Sequence, residues 1–114
     1  MAETLTISQL ARLAAVNVET IRFYERQGLI SKPPRGSSGF RHFPYEAVDA
    51  IRFIRVAKNL GFSLPEIQNL IRLRVSQDVQ TKEDVRELES IVHSINEKIS
   101  ALTVLRDDLV SLRR

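Results

Sequence analysis

The segment ETIRFYERQGLI, residues 19–30, places arginine and tyrosine side by side at positions suited to a helix. Arginine is the side chain best suited to bidentate hydrogen bonds with guanine or phosphate, and tyrosine offers a ring and a hydroxyl donor. On a helix, Ile21 lies on the buried side, and the side chains that can reach outward are Thr20, Arg22, Tyr24 and Arg26. This combination indicates nucleic-acid binding. The residues alone leave an alternative open, in which Tyr24 is half-buried core and Arg22 is a solvated charge.

A second basic group follows in LISKPPRGSSGFRHF, residues 29–43. Its prolines exclude a helix and its Ser-Ser-Gly cluster indicates a loop, so we expect two short strands, Leu29–Ser31 and Phe40–Phe43. Such a hairpin could straddle a phosphate backbone with its basic side chains, which are Lys32, Arg35, Arg41 and His42. The next predicted helix extends this basic surface with Arg52, Arg55 and Lys58.

Helix start and stop signals predict the elements that position these side chains. Thr6 and Gln9 fit a capping box that opens a short helix. Asn17 is a good N-cap for a second helix, over about residues 18–27, and Gly28 ends it. Two short helices separated by about one turn are a helix-turn-helix candidate. Further helices are predicted over about residues 45–60 and 64–73, the latter behind the capping box of Ser63 and Glu66.

The last third of the sequence predicts one long helix, capped by Thr81. Apolar residues recur along it at spacings of three and four: Val85, Leu88, Val92, Ile95, Ile99, Leu102, Leu105 and Leu109. At about 1.5 Å per residue a helix over residues 81–112 is roughly 48 Å long, and a monomer would expose its apolar stripe. No other predicted helix in the chain is long enough to cover it. We therefore expect a coiled coil between two chains.

Composition and charge narrow the class of protein. The 114 residues are 43% hydrophobic and 27% charged, as in ordinary globular proteins, and the net charge is +3. Residues 1–75 hold 11 basic and 6 acidic side chains, whereas residues 76–114 hold 6 and 8. That asymmetry suits an anionic polymer as partner of the front segment. No run of about 18 apolar residues and no secretory signal is found, so a cytoplasmic protein without a membrane segment is expected.

The residues give little support for catalysis, a metal or a cofactor. The sequence contains no cysteine, which excludes disulfides and thiolate metal sites. His42 and His93 are far apart, and neither belongs to a known nucleophile motif. The Gly-rich piece RGSSG lacks the Lys-Ser/Thr pair that follows a phosphate-binding loop. We therefore expect a binding protein and not an enzyme.

Three stretches, TISQLARLAAVNVETIRFYERQGLI, GFRHF and AIRFIRVAKNLGFSLPEIQNLIRL, closely resemble the mercury-resistance regulator (MerR) family of bacterial transcription factors. The resemblance covers residues 5–75 and continues through the long helix. It implies a mainly α fold: a winged helix-turn-helix DNA-binding domain over residues 1–75, a connector over 76–80, and a dimerisation helix over 81–114 that pairs antiparallel with its copy.

The resemblance also implies a mechanism. Family members act as homodimers on a pseudo-palindromic promoter operator and distort its overlong spacer, so that RNA polymerase is affected indirectly through the promoter. By position, Arg22 and Tyr24 match contacts of the recognition helix and Arg41 matches the wing arginine, while Ser8 and Thr20 approach the DNA backbone. The family's wing usually reads Arg-x-Tyr, whereas this chain has Phe43, which lacks the hydroxyl.

One departure concerns effectors. Metal-sensing members carry a cysteine at the start of the dimerisation helix and more cysteines in a loop beyond it, but here Lys82 stands near the first position and the sequence ends at Arg114. We therefore expect no thiol-based metal sensing and no effector domain. Two alternative functions remain open from the residues: an architectural or excision-type DNA-bending protein, and a protein-interaction module that uses the long helix.

Overall fold

Helix caps and glycine turns set the bounds of the elements in the computed structural model, which describes residues 4–33, 42–75 and 81–113. In chain order these are β1 (Thr4–Leu5), α1 (Ile7–Ala14), α2 (Val18–Arg26), β2 (Phe43–Pro44), α3 (Glu46–Asn59), α4 (Leu64–Val75) and α5 (Lys82–Ser111). All five predicted helices are present. Their predicted bounds agree within two residues, except that α5 ends at Ser111 whereas the prediction ran to Arg114. Two compact units meet in the sequence between Arg72 and Leu73, and each is described separately below.

The first two helices form the predicted helix-turn-helix. Thr6 and Gln9 make both bonds of a capping box: the Thr6 N–H donates to Gln9 Oε1 (2.9 Å), and the Gln9 N–H donates to Thr6 Oγ1 (3.2 Å). Asn17 caps α2 by accepting the Thr20 N–H at 2.7 Å. The turn between the helices passes through Ala15, which has a left-handed φ of 58°. Local capping chemistry therefore sets where α1 and α2 begin.

The predicted first strand of the hairpin, Leu29–Ser31, is wrong. The Leu29 N–H donates to the Tyr24 carbonyl (2.9 Å) and the Gly28 N–H to that of Glu25 (3.1 Å), with Gly28 at φ 72°, which is a Schellman motif that ends α2. Leu29 and Ile30 are then both buried, whereas successive residues of a strand point to opposite faces.

The second predicted strand, Phe40–Phe43, is confirmed only at its end. Phe43 and Pro44 form β2, and they pair antiparallel with Leu5 and Thr4 of β1, not with the segment after Gly28. Phe40, Arg41 and residues 34–39 of the predicted hairpin loop lie outside the described residues. No local pattern predicts this pairing with the first residues of the chain, because strand partners distant in sequence leave no periodic signal.

The core of the first unit lies between the helix-turn-helix and α3. Its largest fully buried side chains are Phe43, Leu10, Ile21, Ile51 and Ile54. Gly61, at φ 92°, ends α3, and both bonds of the Ser63–Glu66 capping box open α4. Gln68 Nε2 then donates to the Gln27 carbonyl at 2.9 Å, which ties α4 to the end of α2. Helix α2 is thus held by packing on α1, which in turn packs on α3, and by a hydrogen bond from α4.

The second unit is dominated by α5, a helix of 30 residues. Thr81 and Asp84 make both bonds of a capping box at its start, as the sequence predicted for Thr81. None of its residues is buried. The predicted connector, residues 76–80, lies outside the described residues.

Candidate nucleic-acid interface

One side of α2 faces solvent through four residues at helical spacing, which we call the recognition face: Glu19, Arg22, Phe23 and Arg26. Ile21 and Tyr24 form the opposite, buried side. Arg22 and Arg26 therefore lie where the sequence placed them, on the outside of the second helix of a helix-turn-helix. In such motifs this side of the helix enters the major groove.

Each arginine of the recognition face has a partner within that face: Arg22 pairs with Glu19, and Arg26 lies over the Phe23 ring. Arg22 Nη1 lies 2.7 Å from Glu19 Oε1, with both side chains at least half exposed. The Arg26 guanidinium lies 6.0 Å from the centre of the Phe23 ring, a cation–π arrangement. Exposed ion pairs contribute only about 0–1 kcal/mol, so Arg22 can exchange Glu19 for a ligand at little cost. Both arginines are thus held in position without being buried.

Tyr24 does not reach outward as the sequence predicted, because only 4% of it is exposed. Its position three residues after Ile21 puts it on the same, buried side of α2. Burial raises the pKa of the Tyr24 hydroxyl above its ordinary value, and the charge of Arg55 opposes that rise. The hydroxyl has no hydrogen-bond partner among the described residues. The half-buried alternative that the sequence left open for Tyr24 is therefore nearer to the structure.

Beside Tyr24 lies a cleft of about 540 Å³ between the turn of the helix-turn-helix and the last turns of α3. Its lining is mostly polar, with two basic side chains, and consists of Ala15, Val16, Asn17, Thr20, Tyr24, Arg55, Lys58 and Asn59. Asn17 Oδ1 accepts both the Thr20 N–H (2.7 Å) and the Thr20 hydroxyl (2.9 Å), so the Thr20 hydroxyl proton points to Asn17 and not outward as predicted. The cleft adjoins the N-terminus of α2, whose dipole favours an anion.

Arg52 and Arg55, predicted as DNA contacts, donate to the backbone of α1. Arg52 Nη2 lies 3.3 Å from the Leu13 carbonyl oxygen, and Arg55 Nη1 lies 3.2 Å from that of Ala14. Neither bond could be read from the sequence, because they join residues 39 and 41 positions apart.

Of the remaining predicted DNA contacts, three are exposed at the surface and two lie outside the described residues. Ser8 is exposed in the first turn of α1, and Lys32 and His42 are exposed outside helices and strands. Arg35 and Arg41 lie outside the described residues. The structure therefore brings Arg22 and Arg26 together on one face and Thr20, Tyr24 and Arg55 together in the cleft.

Sequence reasoning missed Phe23 and the cleft residue Asn59. Phe23 is 39% exposed within the recognition face. The step of three and four residues through Glu19, Arg22, Phe23 and Arg26 could have revealed it, had Tyr24 been assigned to the core. Asn59 is different: it reaches the cleft only because α3 packs against the turn, a contact that no local pattern records.

The predicted dimerisation residues form an exposed apolar stripe on α5. Ile95 is 37% exposed and Leu102 is 60% exposed, and none of the eight is buried. Shallow apolar grooves run along this stripe, one beside Val85, Leu88 and Val92 and another beside Leu102, Leu105 and Leu109. A stripe of this length is unusual on the surface of a monomer.

The described residues offer neither a metal site nor a membrane-spanning helix. Across 4–33, 42–75 and 81–113, no three His, Asp or Glu side chains are grouped so that they could hold a metal ion. No helix among those segments is long and apolar enough to cross a membrane.

The chain is similar in sequence to known helix-turn-helix transcription regulators. Residues 5–73 match the family described as MerR HTH family regulatory protein, and residues 48–112 match the family described as MerR, DNA binding. An uncharacterized HTH-type transcriptional regulator from Synechocystis is 36% identical over 109 residues, which are 96% of this chain and 80% of that protein. A ZntR homolog from Haemophilus influenzae, also an HTH-type transcriptional regulator, is 38% identical, with 96% and 81% coverage.

Solved structures share the fold. HiNmlR, a MerR family regulator lacking the sensor domain and solved bound to promoter DNA, superposes with a TM-score of 0.74 at 24% identity, covering 96% of this chain and 86% of that one. A transcription regulator from Ralstonia metallidurans in complex with lead(II) gives a TM-score of 0.63 at 29% identity, with the same coverage. These likenesses cover both the first unit and α5.

Proposed function

The chain belongs to the MerR family of helix-turn-helix transcription regulators, and from this membership we propose that it binds a pseudo-palindromic promoter operator as a homodimer. The observation that carries the proposal is the recognition face, a solvent-facing row on the second helix of a helix-turn-helix with two arginines at its centre. The proposed role is binding without catalysis, carried out in the cytoplasm where promoter DNA is found.

In this proposal α2 enters the major groove with its recognition face toward the base edges. Arg22 leaves Glu19 and donates two parallel hydrogen bonds to guanine or to a phosphate. Phe23 offers an apolar surface of the kind that contacts a thymine methyl group. Arg26, held near the Phe23 ring, lies within the same row and supplies a further cationic donor. Specificity would come from these groups together with the deformability of the DNA.

The cleft would hold a phosphate of the strand that flanks the groove. Lys58 supplies a cation, the N-terminus of α2 supplies a favourable dipole, and Tyr24 supplies a hydroxyl without a partner among the described residues. The Tyr24 hydroxyl, like any phenol with a pKa of 10.0 or above, keeps its proton at neutral pH and can donate it in a hydrogen bond. Tyr24 thus remains a candidate DNA contact, but from the floor of a cleft and not from the tip of an outward side chain. Ser8, Lys32, Arg35, Arg41 and His42 remain proposed contacts around this centre.

Pairing of α5 with a second copy would cover its apolar stripe and bring two recognition faces to one operator. Burial of apolar surface contributes about 25 cal/mol for each Å² removed from water, and the stripe extends over most of a helix about 45 Å long. Two DNA-binding units on one operator would then distort the spacer between the half-sites, and RNA polymerase would respond through the promoter. The 114 residues contain no thiol, so the proposal includes no thiolate-based metal sensing.

The test is duplex binding measured as a function of salt. The wild-type chain first selects duplexes from a random library, and the affinity for the selected duplex is then measured between low and moderate salt. We expect a steep linear fall of log K against log salt, because each phosphate contact releases counterions. Arg22→Ala should weaken binding to the selected duplex by about 1–3 kcal/mol.

A matched control removes the same charge elsewhere. Arg86 lies exposed on α5, away from α2 in the sequence, and Arg86→Ala should bind the selected duplex like the wild-type chain. The proposal fails if the wild-type chain selects no duplex, or if Arg22→Ala and Arg86→Ala bind equally well.

A further inference from the structure

Each of the last four carbonyls of α1 accepts a hydrogen bond. An α-helix leaves these four groups without partners inside the helix. Two of them are satisfied locally: the Ala15 N–H donates to the Arg12 carbonyl (3.2 Å), and the Val16 N–H donates to that of Ala11 (3.0 Å). This is a Schellman pair closed through Ala15, whose φ of 58° costs energy for any residue with a Cβ.

The other two carbonyls accept from a different helix. Arg52 of α3 donates to the Leu13 carbonyl (3.3 Å), and Arg55, one turn later, donates to the Ala14 carbonyl (3.2 Å). Arginine suits this position because its guanidinium carries a full positive charge and the end of a helix carries partial negative charge. We call these two residues the arginine clamp.

The clamp acts at the point that sets the direction of α2. Ala15 follows α1 directly, and Asn17, two positions later, is the N-cap of α2. A small rotation at this turn would swing the whole recognition face relative to α3. Specific binding tolerates little misplacement, since a shift of about 1 Å in a bound group can cost roughly 100-fold in function.

We propose that Arg52 and Arg55 are positioning residues for DNA binding, which hold the end of α1 on α3 so that α2 presents its recognition face in one orientation. This inference rests on the proposed function and gives the two arginines a different role from the phosphate contact expected from their charge. Arg55 also lines the cleft, so it can touch a bound phosphate as well. Arg52 does not line the cleft and isolates the positioning effect.

The experiment compares Arg52→Ala with Lys58→Ala, since both residues are basic and lie on α3 but only Lys58 lines the cleft. Affinity for the duplex selected by the wild-type chain is measured against salt, at a temperature where each variant is fully folded. Arg52→Ala should bind about tenfold more weakly at every salt concentration with an unchanged slope. Lys58→Ala should reduce the magnitude of the slope by about 0.9, the value for one lost phosphate contact.

Native-state hydrogen exchange distinguishes a local loosening at the end of α1 from a general loss of stability. In Arg52→Ala the amides of Ala15 and Val16, which donate into the end of α1, should exchange at least tenfold faster, while the amides of α3 keep their protection. In Lys58→Ala the exchange of Ala15 and Val16 should not change.

Three results would overturn the positioning role. A reduced salt slope for Arg52→Ala with normal exchange would make Arg52 a phosphate contact. Faster exchange throughout the first unit with normal affinity would make it a residue that only stabilises the fold. Failure of the wild-type chain to bind any selected duplex would overturn the proposed function and this inference together, whereas the first two results leave the proposed function standing.

Discussion

Tyr24 shows how one side chain can belong both to the core and to a binding surface. Its ring packs within the core cluster, yet the residue also lines the cleft beside Lys58 and Asn59. Burial disfavours the charged phenolate, which is why the pKa of Tyr24 rises despite the nearby charge of Arg55. The neutral phenol is therefore the state that the fold stabilises.

This pKa shift predicts a loss of stability at alkaline pH. In the unfolded chain Tyr24 releases its proton near pH 10.0, whereas the folded chain retains it to higher pH. The stabilisation is therefore fully present below pH 10.0 and is lost as the pH rises through the raised pKa of the folded chain. Tyr24→Phe should remove this part of the decline, measured by denaturant unfolding at a series of pH values.

Tyr45 supplies the control for the alkaline experiment, because it is a tyrosine with about half of its surface exposed. Tyr45→Phe should leave the decline above pH 10.0 as it is in the wild-type chain. An identical decline in Tyr24→Phe and the wild-type chain would show that burial of Tyr24 does not couple its titration to folding.

Residue types predicted part of this site. The exposure of the arginines of α2 could be predicted from their charge and their helical spacing, because a guanidinium is almost never buried without a partner. Tyr24 could not be placed in the same way, because an amphipathic ring fits either side of a helix. Its burial depends on Ile21 lying three residues earlier and on α3 lying against that side, and the second of these is a tertiary contact.

At the scale of elements, substitutions of Asn17, the N-cap of α2, should change stability and DNA binding in different ways. Asn17 Oδ1 accepts two hydrogen bonds from Thr20 at the start of α2, and Asn17 also lines the cleft. Asn17→Asp keeps the capping oxygen and adds a negative charge next to the positive end of the helix dipole. We expect the free energy of unfolding to be equal or higher by about 0.3–1 kcal/mol. Operator affinity should nevertheless fall by about tenfold, because the new charge repels a phosphate in the cleft.

Asn17→Ala separates the two effects. Loss of the capping oxygen should lower the free energy of unfolding by about 1 kcal/mol without placing a negative charge in the cleft. Thermal unfolding measures the capping effect of each variant, and duplex binding measures the effect of the added charge on a phosphate in the cleft. Unchanged or tighter duplex binding by Asn17→Asp would argue that no phosphate lies near Asn17.

Elements with local signals were predictable, and elements with distant partners were not. Capping boxes at Thr6, Ser63 and Thr81 each fix a helix start with residues three positions apart. The strand pair of Thr4–Leu5 with Phe43–Pro44 depends on chain ends that only folding brings together. The Leu29–Ser31 prediction failed for a related reason: an apolar run after a glycine fits a strand, but here the backbone N–H of Leu29 is used to end α2.

At the scale of the whole molecule, α5 accounts for why the chain would act as a pair. Its apolar side chains are exposed along the length of the helix, and the stability of one helix of 30 residues in water rests on packing more than on propensity. The sequence predicted this stripe well, because a repeat of three and four residues is a local property of one helix. The direction of its partner is not a property of one helix, and the antiparallel arrangement comes from the family resemblance.

Single cysteines can decide that direction, because the chain has none of its own. In an antiparallel pair a residue meets its own copy only near the middle of the helix, and Asn96 lies there, beside the apolar groove. Leu88 lies about eight residues from the middle of α5, so its copies would be about 25 Å apart at about 1.5 Å per residue. A disulfide needs Cα atoms within about 7 Å. Mild oxidation should therefore cross-link Asn96→Cys and leave Leu88→Cys uncross-linked on a non-reducing gel.

The opposite result has an equally direct meaning. A parallel pair in register brings every seam residue against its own copy, so Leu88→Cys would cross-link. An antiparallel pair instead places the start of each α5 against the end of its copy, about 45 Å away from the other start. Cross-linking of Leu88→Cys would therefore contradict the antiparallel pair.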